Sequence, residues 1–523
     1  MIDSSGRFLL VLVAGLAVFG FQRLNALKRK RQFERGRKLT TKTRRSRSGN
    51  FLNWGALQIP ESQATQHFLA IGTTGSGKSL VQRFLMKRAL LQIGKRPDQR
   101  ALILDAKNDS ASFLKHIGVT CPVYTFNPFD GRSDFPQPVA WDIATDITSS
   151  ARALNLAAGL IPAEKGGNNQ YFTDAARLVV SGIIESFIRH SPHDWTFPDL
   201  VLASLSMERT RTILSRDKEG QEVLENFLGD ERTGYQVFTT VVSRMAYFRS
   251  IAAIWQRTNK RLSLRHWLDD DSVLLLGVNA TARAALDAIN EILFRVLVEE
   301  IDMQENSSTR RTWIWIDEAR LSGPLLRGEM LPYLAVKGRS RGACLVLAFQ
   351  DIEGFREAAG PRIAHEIIAQ CSNKALLRME SEESAGWASK LLGQHEVIET
   401  MRSDPVHGMR GGTQTEHLAR KDAVLASEFY LIPPTSKSNG LTGYFVSPND
   451  GAVQATISPK VLDAVADNDS PEYACKFVSR PEEEQTLRLW NVADEDRLQL
   501  TKRTVKRTLK LKKTANLATS LSH

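Results

Sequence analysis

Apolar residues in this chain gather into short unbroken runs: HFLAIG (67–72), ALILDAK (101–107), VYTFNP (123–128), SVLLLGVN (272–279), RTWIWIDE (311–318), ACLVLAF (343–349) and NKALLRM (373–379). A strand covered on both faces needs that continuity, and the strands of parallel α/β sheets are covered in this way. ATARAALDAINEILFRVLVEEID (280–302) instead repeats at helical spacing, with Leu286, Ile289, Leu293, Val296 and Leu297 on one stripe, so a helix precedes the WIWI run. Between about 140 and 268 strand signals fade, and helical patterns such as YFTDAARLVVSGIIESFIRH (171–190) take over. The pattern predicts an α/β domain in two parts, 51–140 and 269–458, interrupted by an all-α insertion at 141–268.

One run is of a different kind. FLLVLVAGLAVFGF (8–21) is fourteen residues without a charge, and Arg23 to Arg47 behind it holds twelve Lys or Arg and one acid, Glu34. As a helix it spans about 21 Å, short of the roughly 30 Å hydrocarbon core, but Arg7 and Arg23 can snorkel at its ends. A cleaved secretion signal carries its positive charge before the apolar run, whereas here the charge follows. The expectation is an N-terminal transmembrane anchor (1–25) and a basic juxtamembrane linker (26–50) that holds the rest of the chain in the cytoplasm.

That placement changes the meaning of the composition. The 523-residue chain has a net charge of +11, and the Arg23–Arg47 flank alone carries +11, which leaves the body near neutral. The excess therefore reports a membrane surface and is no footprint for nucleic acid spread over the protein. Residues 459–523 read as a C-terminal tail, acidic and then basic, with TKRTVKRTLKLKK at 501–513. WQRTNKRLSLRHW (255–267) interleaves aromatic and basic residues, but it reads as a solvated helix end before it reads as a base-stacking surface. The four cysteines have no CxxC spacing, which argues against a zinc site or a disulfide framework.

The candidate chemistry lies at the ends of the apolar runs. HFLAIG leads into Gly72, Thr73, Thr74, Gly75, Ser76, Gly77, Lys78 and Ser79, and an amphipathic stretch follows, giving strand, glycine-rich loop, helix. This is the Walker A arrangement: backbone N–H groups and the positive helix end cradle phosphates, Lys78 neutralises them, and Ser79 holds Mg²⁺. WIWI ends in Asp317 and Glu318, which suit a metal-orienting carboxylate and a base that activates water, so ATP hydrolysis is favoured over phosphotransfer. Gln350 closes the next run and is a candidate γ-phosphate sensor, while Arg339 or Arg341 ahead of that run is a candidate arginine finger in trans. No LSGGQ-like signature precedes the WIWI run, which disfavours an ABC transporter.

In order along the chain, GTTGSGKS, LDAKND, FNPFDGR, VAWDI, AAGLIPAE, YFTDAAR, WIWIDEA, GRSRGACLVLAFQD, WASKLLG and LASEFYLIP resemble the coupling proteins of conjugative type IV secretion systems, the TraD/TrwB-like group of the FtsK/HerA class. The resemblance spans about 51–458 and implies a RecA-like P-loop fold with a helical insertion, assembled as a membrane-anchored homo-hexamer. It implies ATP and Mg²⁺ as cofactors. The implied partners are single-stranded DNA, a relaxase and type IV secretion channel components, at the bacterial inner membrane with the body in the cytoplasm. By motif position, Lys78 and Ser79 match the nucleotide and metal ligands, Asp317 and Glu318 the Walker B pair, Gln350 the family's glutamine and Arg339 its GR arginine. The family usually has two membrane helices where this sequence offers one, Trp where Phe172 stands and Glu where Lys337 stands. Two other readings remain open: a receptor that recruits protein substrates with little motor activity, and a chromosome-handling FtsK/HerA-type translocase.

Overall fold

The computed structural model describes residues 35–41, 50–132, 135–163, 170–319, 325–326, 329–403, 413–465 and 486–500. The apolar run 8–21, most of its basic flank and the basic stretch 501–513 lie outside the described residues. Among the described residues, no helix is long and apolar enough to cross a membrane.

Each of the seven apolar runs between 67 and 379 contributes a strand to one sheet. In chain order these are β1 (Phe68–Ile71), β2 (Gln99–Asp105), β3 (Val123–Thr125), β4 (Val273–Gly277), β5 (Arg311–Ile316), β6 (Ala343–Phe349) and β7 (Asn373–Leu376), joined by β8 (Leu441–Ser447) and β9 (Gly451–Ile457). The eleven-stranded sheet runs β9-β8-β7-β1-β6-β5-β2-β4-β3, with Leu39–Thr40 beyond β9 and Gln137–Pro138 beyond β3. From β7 to β3 all neighbours are parallel, while β8 turns antiparallel to both β7 and β9. The run VYTFNP stops being strand after Thr125 because Asn127 folds the chain, its backbone N–H donating to the Thr125 hydroxyl and its Oδ1 accepting from the Phe129 N–H.

The unbroken apolarity of β5 serves two cores. Ile314 and Ile316 pack on one face with Leu69, Ile71, Leu102, Leu104, Leu345 and Leu347. Trp313 and Trp315 face the other way among Phe68, Ala70, Ile103, Val346 and Ala348. Their rings stack at 4.9 Å and 21°, so this strand buries two large aromatics on one side without leaving a gap. Truncating either to alanine costs about 3–5 kcal/mol by the usual measure of buried aromatics.

Helices fill the stretch between Ala140 and Leu262. Among them α2 (Gln170–His190) presents Val179, Val180, Ile183, Ile184 and Phe187 to the core, and α3 (Glu231–Met245) presents Val237, Val241 and Met245. The chain enters and leaves this region side by side, through a short parallel pairing of Ala140–Trp141 with Arg261–Leu262. One buried carboxylate fastens the neck: Asp146 accepts from Trp141 Nε1 (2.7 Å), the Ser263 hydroxyl (2.7 Å) and the backbone N–H groups of Leu264 (2.8 Å) and Arg265 (3.0 Å). Trp255 and Trp267, which bound the basic–aromatic stretch, are both in the core, so neither ring is free to stack on a base.

Residues 486–500 differ from a solvated tail. They lie against the helical region, with Leu487 and Leu498 buried, Trp490 Nε1 donating to Asp199 Oδ1 (2.8 Å) and Arg497 donating to both Asp199 oxygens (2.9 and 3.1 Å).

Candidate nucleotide and metal site

The sheet order brings the glycine-rich loop, Asp317, Glu318 and Gln350 to one edge. β6 lies between β1, which feeds the glycine-rich loop, and β5, which ends at Asp317. With Ile316 opposite Leu347 and Phe349 opposite Ile71, the tips of the three parallel strands lie next to one another at the carboxyl edge. Ligands of open α/β sheets bind at that edge.

The loop turns at two glycines. Gly75 (φ 76°) and Gly77 (φ 96°) adopt left-handed backbone that a side chain resists by about 1–2 kcal/mol, and Gly77 is the N-cap of α1 (Lys78–Ala89). Thr74 and Gly75 form the exposed tip, and the base is tied down by Thr73 N–H to Arg378 O (2.8 Å) and Ser76 N–H to Thr73 O (3.2 Å). Lys78 folds back onto its own loop, donating to Gly72 O (2.6 Å) and Thr73 O (3.1 Å). Burial lowers the pKa of this ammonium, against the pull of Glu318 and Asp317.

Across from the loop, the Ser79 hydroxyl donates to Asp317 Oδ2 (3.1 Å). Lys107 joins them from the end of β2, with Nζ 2.8 Å from Ser79 Oγ and 2.8 Å from Asp317 Oδ2. Glu318 sits beside them, buried, at φ 65°, a left-handed conformation that non-glycine residues seldom adopt and that clusters at functional sites. Its Oε2 accepts from Gln350 Nε2 at 2.9 Å. Lys78, Ser79, Asp317, Glu318 and Gln350 are thus brought together. Lys107 is the member of this group that motif reading does not single out, although a lysine just past the buried ALIL run of β2 was the available signal.

The residues fit an anion with a divalent cation. Among the described residues, Ser76 Oγ and Asp317 Oδ1 are buried and find no hydrogen-bond partner, and a buried oxygen left so costs about 1–3 kcal/mol unless a ligand supplies one. A hydroxyl and a carboxylate form the oxygen-only donor set that suits Mg²⁺, and the loop N–H groups suit phosphate.

The two candidate fingers separate. Arg341 is engaged within its own subunit, 2.9 Å from Asp302 Oδ1 and donating from Nε to Gln304 O (3.2 Å). Arg339 is exposed on the 3₁₀ turn Gly338–Arg341 that follows α5 (Met330–Lys337). That turn enters β6 at the amino edge of the sheet, so the seven residues of β6, roughly 20 Å of strand, separate Arg339 from its own loop. The turn is braced by His67, whose Nε2–H donates to Ala335 O (2.8 Å) while Nδ1 accepts from the Leu345 N–H (3.1 Å).

Comparison with known proteins points one way. A family model described as the type IV secretion-system coupling protein DNA-binding domain matches residues 51–452. A structure titled bacterial conjugative coupling protein TrwBdeltaN70, unbound, is similar at TM-score 0.64 and 18% identity, covering 82% of this chain and 94% of that one. Plasmid coupling protein TrwB in complex with the ATP analogue ADPNP is similar at TM-score 0.62 and 19% identity, covering 82% and 95%. The same protein with ADP and Mg²⁺ gives 0.63 and 17%, covering 85% and 98%. At these identities the likeness establishes a shared α/β fold. A search of the curated proteins finds no match.

Proposed function

The chain belongs to the type IV secretion-system coupling protein family, and we propose that it is the ATP-hydrolysing motor of that system, a membrane-anchored hexamer that passes relaxase-bound single-stranded DNA into the secretion channel. The observation that carries this reading is the convergence of Lys78, Ser79, Asp317, Glu318 and Gln350 on one edge of the sheet, within a chain whose family match covers both halves of that sheet. The solved relatives in complex with an ATP analogue and with ADP and Mg²⁺ support ATP and Mg²⁺ as the ligands here.

Each residue then has a task. Lys78 exchanges the Gly72 and Thr73 carbonyls for phosphate oxygens, which give its buried ammonium a full countercharge. Ser79 and Asp317 hold the metal, which when bound screens charge on the transferring phosphoryl group. Glu318 accepts the proton of the attacking water, and Gln350 fixes the orientation of that carboxylate. Arg339, too far from its own loop, meets the neighbouring subunit's nucleotide in the ring. The Phe8–Phe21 run and its basic flank supply the anchor.

The test is ATP turnover by the full-length protein in detergent, with and without single-stranded DNA. DNA should accelerate turnover and Lys78→Ala should abolish it. Assembly without turnover on any DNA, together with retained relaxase binding, would hand the function to the receptor reading. Stimulation by duplex DNA alone would favour an FtsK/HerA-type translocase.

A further inference from the structure

Lys107 is held at the metal position by the fold around it. β2 ends at Asp105, whose Oδ1 accepts from the backbone N–H groups of Asp109 (3.1 Å) and Ser110 (3.2 Å) and from the Ser110 hydroxyl (2.9 Å). The next residue but two, Asn108, takes a left-handed backbone (φ 57°), and its amide donates to Val278 O at 3.1 Å on the neighbouring β4 side. Lys107 projects from this fixed turn, and its ammonium makes the two 2.8 Å contacts to Ser79 Oγ and Asp317 Oδ2. Those oxygens are the pair assigned above to Mg²⁺.

We propose that Lys107 is a tethered cation that holds the metal position of the nucleotide-free site, so that the protein takes up divalent metal together with nucleotide and binds the metal poorly alone. This rests on the nucleotide-site reading given under Proposed function. The charge argument is direct. Asp317 and Glu318 face Lys78 and Lys107, with Asp351 and Asp109 also acting on these ammonium groups, and a free divalent ion entering must displace a positive charge already bonded to both of its protein ligands. Mg²⁺ also sheds its own waters reluctantly and is bound chiefly through substrate phosphates when few protein oxygens are offered. Nucleotide changes the balance, because phosphate oxygens give a displaced ammonium a new partner a short swing away. At 42% side-chain exposure Lys107 is free to make that swing.

The experiment titrates the nucleotide-free, full-length protein in detergent with Mn²⁺ alone, followed by electron paramagnetic resonance. Lys107→Met should bind one Mn²⁺ at least about tenfold more tightly than wild type, Lys107→Arg should stay near wild type, and Lys107→Met with Asp317→Asn should lose the gain. Circular dichroism checks that each variant is folded, and Lys107→Gln replaces Lys107→Met if that variant is not. Equal Mn²⁺ affinity in wild type and the neutral variant overturns the proposal, as does a gain that survives loss of Asp317. Binding of ADP in the presence of Mg²⁺ separates the two levels of inference. If ADP does not bind, the nucleotide-site reading itself has failed; if ADP binds and the Mn²⁺ curves coincide, the role of Lys107 alone is wrong.

Discussion

The Gln350 amide donates to the Glu318 carboxylate, Nε2 to Oε2 at 2.9 Å, across the tips of two adjacent parallel strands. Register fixes this contact: Ile316 opposite Leu347 sends both chains out of the sheet side by side, and the positive φ of Glu318 turns its side chain back toward the loop. A base held by a neutral amide loses its freedom to reorient, which is what activation of a water requires.

Glu318→Gln is expected to lower kcat by roughly 10²–10⁴ while leaving ATP affinity within about threefold, because the base is lost and the phosphate contacts remain. Gln350→Ala should cost less, about 10–100-fold, and again mainly in kcat, since the base survives in poorer orientation. Single-turnover kinetics beside equilibrium binding of a fluorescent ATP analogue separates the two effects. A Gln350→Ala variant that weakens binding and leaves kcat intact would place the amide on the nucleotide instead.

For action in trans, Arg339→Ala and Glu318→Gln subunits are each expected to be inactive alone. Mixed assemblies should regain turnover, because some interfaces then pair an intact finger with an intact base. The assay is ATPase rate against mixing ratio; a flat profile at every ratio counts against Arg339. Arg341→Ala should behave differently, lowering stability through loss of the Asp302 contact with little effect in mixtures.

How much of this was legible beforehand depended on what marks a residue. The parallel strands were, because burial on both faces leaves no choice but apolar runs such as WIWI in β5. The long hairpin Gln394–Ser403 with Thr413–Asp422 was not, since residues such as Glu396, Arg420 and Lys421 give it no clean alternation. That Arg341 is engaged within its own subunit depends on Asp302, which lies on α4 (Arg283–Met303), far away in sequence. The role of 486–500 was hidden for a similar reason: its anchors, Leu487, Trp490 and Leu498, follow no period, and its main attachment is polar.

His67 gives the fold a pH dependence of known sign. Burial, against its bond to Ala335 O, lowers its pKa from 6.5 to about 4, so the folded state requires the neutral ring. A base whose folded pKa is lowered contributes stability that is fully present above the unfolded value, 6.5, and is lost as pH falls toward 4. The difference amounts to roughly 3 kcal/mol over that window. Urea unfolding of wild type and His67→Gln between pH 7.5 and 4.5 checks this. The wild-type curve should lose stability more steeply, and parallel curves would show that His67 is not the group responsible.

Asp199 joins the C-terminal segment to the helical region, and its removal should show how strongly. Its carboxylate is buried and first caps its own helix (Phe197–Ser204), accepting from the Thr196 N–H (2.8 Å) and hydroxyl (2.7 Å). Trp490 and Arg497 then complete its shell from 486–500. Arg497→Ala leaves a buried carboxylate with neutral donors only, and a loss of about 2–3 kcal/mol is expected, less than for a fully buried pair because the guanidinium is 29% exposed. Trp490→Phe keeps most of the packing and removes one donor, so about 1 kcal/mol is expected. If the two act through the same carboxylate, the double variant should cost measurably more or less than the two single losses combined, whereas strict additivity would mean that each residue is held independently of Asp199. The readout is the urea midpoint of the helical region's tryptophan fluorescence, and Asp199→Asn supplies the control: by removing the charge that Arg497 meets there it should shrink the effect of Arg497→Ala to the part carried by its contacts with Asp494 Oδ1 (3.2 Å) and Asp194 O.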